Sequence, residues 1–130
     1  MADENGQANR EQYTKPAERR WDSFHIDEFG PVVLRSLTEG EKTKFEMSVM
    51  ESGGKDYRKR LATARRRLII LTSCDVVGGR PLLELKDEPL LQSMDGLHSQ
   101  IIFDRAQTLC GFEAGDIEDT IKNCDPIPVG

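Results

Sequence analysis

The densest chemistry in this 130-residue chain is RKRLATARRR, residues 58–67, where six of ten side chains are basic. Six cations on one helical stretch could hold phosphate oxygens and release counterions from a nucleic acid. The stretch has no aromatic residue on which a base could stack, and no nucleic-acid-binding motif accompanies it. A solvated helix face is therefore the preferred reading. His25 and His98 are the only histidines, and Cys74, Cys110 and Cys124 are far apart with no CxxC pair. These give no metal-ligand spacing. His98 falls among apolar residues and reads as a satisfied core or interface histidine. The segment DVVGGRP, 75–81, has two glycines, but it follows a helical pattern and lacks the P-loop lysine. Glu118-Asp119 reads as part of an exposed helix face, and no Ser/His/Asp or Cys/His set has a local signature. Nothing in these residues argues for a catalytic group, a cofactor, a metal or an enzyme.

The elements that must hold these residues are mainly helical. Phe24 and Ile26 alternate with His25 and Asp27, a Glu-Phe-Gly-Pro turn follows, and Val32-Val33-Leu34 is β-rich, which predicts a hairpin between 21 and 37. Thr38-Glu39-Gly40-Glu41 is a capping box, so a helix should start at 39, with Phe45 and Val49 inward and Ser52-Gly53-Gly54 as its end. A longer helix is expected over 55–73. On a wheel, Leu61, Ala64, Leu68 and Leu71 form one stripe, and Arg58, Lys59, Arg65 and Arg66 lie opposite. Val76 to Pro81 reads as a turn or small hairpin tip. Asp87 and Asp95 should cap helices over 88–93 and about 96–110, with Gly111 as the left-handed stop. Residues 116–123 should form a last helix with Ile117 and Ile121 inward. The helix at 96–110 is apolar over a broad arc, as for an element central to a core or buried in an assembly.

One domain fits this length. Residues 1–20 have almost no large apolar groups and read as a mobile tail, with the domain over 21–123 and a second tail at 124–130. The expected fold is a small domain of four to five helices with an N-terminal β-hairpin and disordered termini. The longest apolar run is four residues, so neither a membrane span nor a secretory signal is expected. The odd, dispersed cysteines suit a reducing compartment. Net charge is −5 overall, yet residues 55–80 carry +6 and residues 82–130 carry −7. Such halves can pair within one chain or between copies of a homo-oligomer.

Three strings in order resemble the phage tail assembly chaperones: FHIDEFGPVVLRSLTEGEKTKFEMSV, RRRLIILTSCDVVGGRPLLEL and IIFDRAQTLCGFEAGDIEDTIKN. The likeness spans about residues 21–123. Phe29, Gly30, Leu37, Phe45, Cys74, Asp75, Gly79, Pro81, Leu109, Gly111, Lys122 and Asn123 stand at its pattern positions. Val76-Val77 replaces a usual polar turn, and Cys110 stands where Asn is common. The resemblance implies a non-enzymatic role in the host cytoplasm. It implies binding the tape measure protein, keeping it soluble while tail tube subunits are recruited, and absence from the finished particle. A holdase for a helical client needs apolar surface, for which Ile69, Ile70, Ile101, Ile102 and Phe103 are the candidates, with Arg58, Arg65 and Arg66 as electrostatic guides. The rival readings are a nucleic-acid-binding or regulatory module centred on the basic helix 58–67, and a structural tail component.

Overall fold

The structure, a computed structural model, describes residues 6–51, 56–113 and 115–123. Among them are six α-helices and one three-stranded antiparallel sheet. The alternation at 21–35 produces the expected hairpin. β1 (Trp21–Ile26) pairs with β2 (Gly30–Arg35), with Trp21 opposite Arg35 and Ile26 opposite Gly30. A short third strand, β3 (Ser73–Cys74), follows directly on the basic helix and pairs with Leu34 and Val33.

Within the segment expected as a tail, α1 (Arg10–Thr14) is one exposed turn of helix. An Asn9–Gln12 capping box closes it, each side chain meeting the other's backbone N–H. From Arg19 onward the chain is tied to the body: the Arg20 N–H donates to the Ser36 hydroxyl at 2.8 Å. α2 (Glu39–Glu51) begins on its predicted capping box, the Glu41 N–H donating to the Thr38 hydroxyl and the Thr38 N–H to the Glu41 carboxylate. Its expected end, Ser52-Gly53-Gly54, lies outside the described residues.

α3 (Tyr57–Thr72) is capped by Asp56, whose carboxylate accepts the N–H groups of Arg58 and Lys59. A 3₁₀ turn over Leu85–Asp87 leads into α4 (Glu88–Leu91), with Pro89 in its first turn. The Asp87 carboxylate turns back to the Glu84 N–H instead of capping α4. α5 (Gly96–Leu109) starts on Asp95, which accepts from the N–H groups of Leu97 and His98. Gly111 (φ 81°) ends it in a Schellman motif: the Phe112 N–H reaches the Gln107 carbonyl, and the Gly111 N–H reaches Thr108. α6 (Asp116–Asn123) closes the domain with Ile117 and Ile121 buried.

α3 is the hub, in contact with α2, α4, α5 and α6. Leu34, Ala64, Leu68 and Ala106 are fully buried where sheet, α3 and α5 meet, and Phe45 packs edge-on against Phe112. Leu61 and Leu71 sit half-buried at the margin of this core.

That central position changes the reading of the basic block. Arg58 and Lys59 are exposed, as a wet face requires, but Arg60 is buried and Arg65, Arg66 and Arg67 are half-buried. With helices packed around most of α3, its polar side cannot all face water. The Arg67 Nε donates to the Glu88 carboxylate at 2.9 Å and its Nη1 to the Ser48 carbonyl at 2.6 Å. Arg66 lies 3.6 Å from the same carboxylate. Arg65 lies over the Phe103 ring. These cations join α3 to α2, α4 and α5.

Candidate functional site

The sequence after α3 builds the rim of an open groove. Asp75 controls the turn: its carboxylate accepts the Val76 N–H at 2.7 Å and the Arg80 N–H at 2.8 Å. Those two bonds, Arg80's first, hold the Asp75 carboxyl below its ordinary pKa. The Asp75 N–H donates to the Arg80 carbonyl, Cys74 bridges Pro81, and the Leu82 N–H donates to the Ser73 carbonyl. This is the small hairpin tip expected from the sequence. Gly79 is required on grounds of space, since a Cβ there would collide with the Asp75 carboxylate and crowd Val76. The turn sends Leu82 and Leu83 back alongside the sheet.

The groove that results holds about 370 Å³, between the turn, one end of the sheet, α3, α4 and α5. Ile69, Val32 and Ile102 are buried in its floor, and Leu83, Leu91 and Met94 are half-buried in its walls. Phe29 and Leu82 stand at the rim, Leu82 with 61% of its surface exposed. The Phe29 and His98 rings meet edge-to-face with centroids 5.7 Å apart, so His98 braces the rim. The polar exceptions in the lining are Ser73 and Asp75, and Asp75 is engaged by its own turn. The Cys74 thiol in the lining is buried, and burial pushes its pKa up, away from the reactive thiolate. Among the described residues, no group of three or more His, Cys, Asp or Glu could hold a metal ion, and no helix is long and apolar enough to cross a membrane. The arrangement suits capture of apolar side chains.

The eight residues singled out from the sequence do not form one site. Ile69 and Ile102 lie in the groove floor. Ile70 is buried outside its lining, and Ile101 is half-buried. Phe103 and Arg65 lie instead beside a more polar hollow of about 250 Å³ that also touches Gln100, Asp104 and Glu118. Arg58 is exposed near the start of α3, and Arg66 pairs with Glu88. The residues that open the groove to solvent, Phe29 and Leu82, are not among those candidates. The signal for Leu82 is the apolar run Pro81-Leu82-Leu83, which, like Pro89-Leu90-Leu91, has no helical or strand-like polar face. Leu85 and Leu90 beside them are also exposed.

No family model matches the chain, and no curated protein matches it. Among solved structures it is similar to the tail assembly chaperone of bacteriophage HK97, with 20% identity, 70% of this chain and 85% of that one covered, and a TM-score of 0.56. The fold is that of a tail assembly chaperone. This agrees with the resemblance carried by the three strings. On this tail-chaperone fold, the hairpin, the turn after α3 and the apolar α5 together frame the groove.

Proposed function

We propose that the chain is a non-enzymatic tail assembly chaperone that binds helical segments of a tape measure protein, keeps them soluble and helps recruit tail tube subunits. The observation that carries this reading is the open apolar groove on a tail-chaperone fold, with Leu82 and Phe29 presented to solvent. Monomeric proteins rarely leave large contiguous apolar surface uncovered without a partner. Each client side chain of leucine size buried in such a groove contributes about 1.5–3 kcal/mol before ordering costs are subtracted. Two or three anchors per copy thus give weak, exchangeable contacts. Many copies along one long client hold it firmly by multivalency. Such a holdase works in the host cytoplasm and leaves before the particle is finished.

The test is co-expression of the full chain with a tape measure fragment. The wild type should keep the fragment soluble. Leu82→Asp and Phe29→Ser, both at exposed rim positions, should stay folded and lose most of that rescue. Undiminished rescue by both folded variants would rule the groove out as the client site. Detection of the chain in purified virions would favour a structural tail component instead. A shift of duplex DNA at moderate salt would favour the nucleic-acid reading.

A further inference from the structure

The sheet order β1-β2-β3 leaves β1 as an edge strand. The phase of the ladder follows from one bond beyond it, the Ser36 N–H donating to the Arg20 carbonyl at 2.9 Å. Antiparallel pairs alternate between hydrogen-bonded and non-hydrogen-bonded, so Asp22 with Leu34 and Phe24 with Val32 exchange the hairpin bonds. The N–H and C=O groups of Trp21, Ser23 and His25 therefore point off the open edge, and among the described residues nothing accepts or donates to them. Proteins usually guard such an edge with Pro, Lys or a bulge. The opposite edge of the hairpin is guarded. Where β3 stops short, the residue of β2 that would offer an unpaired N–H is Pro31. The six residues of β1, WDSFHI, contain no Pro, Lys or bulge, and the one charge on the strand, Asp22, is already engaged by Arg105 of the same chain.

We propose that this edge pairs with the β1 edge of a second copy, antiparallel about a two-fold axis at Ser23, giving a continuous six-stranded sheet. This register uses all six outward backbone groups of each strand. It sets Trp21 of one copy opposite His25 of the other on one face, an aromatic cross-strand pair. On the other face it sets Phe24 opposite Asp22. No like charges meet. Asp22 is already bonded twice, at 2.8 Å, to Arg105, whose guanidinium lies 4.1 Å from the centre of the Phe24 ring. Arg105 of each copy thus stands beside the carboxylate that arrives from the other, a charge-complementary seam. A shift of two residues either way would leave part of each strand unpaired and break the Trp21–His25 match. Successive strands lie about 4.8 Å apart, so the two β3 strands would be about 24 Å apart, with both grooves left open. The proposal rests on the strand edge and is independent of the client reading.

The experiment is sedimentation equilibrium of the full chain up to about 100 µM, well above a micromolar dissociation constant. The wild type should move from 14.7 kDa toward twice that mass. Trp21, the sole tryptophan, should report the same transition by fluorescence. Ser23→Pro removes an outward N–H that the hairpin does not use, and Ser23→Lys places a charge on the edge. Each should weaken association by about tenfold or more with an unchanged far-UV spectrum, and Ser23→Lys serves if the proline variant misfolds. A wild type that stays monomeric overturns the proposal. So does a dimer that survives both variants, or one dissolved by Leu82→Asp and untouched at Ser23.

Discussion

Glu41 is where the N-terminal arm, the sheet and α2 are joined, and its replacement by glutamine gives a direct measure of that joint. The carboxylate takes Arg19 in a two-pronged bond at 2.6 and 3.0 Å, accepts the Thr38 N–H at 2.9 Å, and lies 3.5 Å from Arg35. Its side chain is three-quarters buried. The Arg19 bond first, then the Thr38 N–H and the charges of Arg19 and Arg35, outweigh burial and pull its pKa from 4.5 down to about 2. At about 1.4 kcal/mol per pH unit, that difference corresponds to about 3 kcal/mol as an upper value. The Glu41→Gln variant would keep one acceptor for the cap but lose the charge, so the expected loss at pH 7 is about 2 kcal/mol. Because the folded pKa is the lower one, the wild-type contribution is complete above about 4.5 and disappears as pH falls through about 2. Urea unfolding at pH 7 and again toward pH 2 is the assay. The gap between wild type and Glu41→Gln should be widest at neutral pH and should close in acid. A gap below about 0.5 kcal/mol at pH 7, the scale of an exposed pair, would refute the reasoning. So would a gap that does not change with pH.

Two further outcomes test the core and the groove's rim. Leu68→Ala, at a fully buried position on α3, should cost about 2–5 kcal/mol in urea unfolding, because the helices around α3 leave little room to collapse. Gly79→Ala should open the 75–80 turn, since the new methyl meets the Asp75 carboxylate. Amide exchange should then rise at Val76 and Arg80, whose N–H groups that carboxylate holds, while the helical signal is retained.

Most element boundaries can be read from the sequence because local chemistry fixes them. Thr38 with Glu41, Asp95 ahead of α5 and Gly111 behind it each satisfy helix-end groups within a few residues, and the structure uses all three. The groove is only partly legible. Ile69 and Ile102 lie on apolar stripes, so a wheel finds them. But a wheel cannot tell an apolar residue sealed in the core from one that floors an opening. Leu82 and Phe29 matter because of where a turn delivers them, a tertiary fact with no periodic signature. The strand at Ser73–Cys74 is hidden for the same reason: two residues carry no alternation, and only the edge of β2 makes them a strand. Arg65 and Arg66 defeat the wheel because it assumes that one side of a helix is free. A short helix at 88–93 is expected from the sequence, but that it lays Glu88 over that side of α3 is a tertiary fact.

The pairing of the arginines explains how an acidic chain holds a basic block and still presents leucines to water. Glu88 pairs with both Arg66 and Arg67 and Glu41 with both Arg19 and Arg35, each carboxylate offsetting one of its two cations, while Asp22 balances Arg105, so each cluster joins elements of the body. The net charge of −5 that remains repels like copies at long range. An open apolar groove makes that repulsion useful, because Leu82, Leu85 and Leu90 would otherwise favour indiscriminate association. The repulsion is screened beyond about 8 Å at physiological salt, so it discourages loose clustering and leaves short-range contacts intact. Contacts that satisfy backbone groups or bury side chains closely can still form. A strand edge and a groove are surfaces of that kind, and the charge pattern leaves both uncovered.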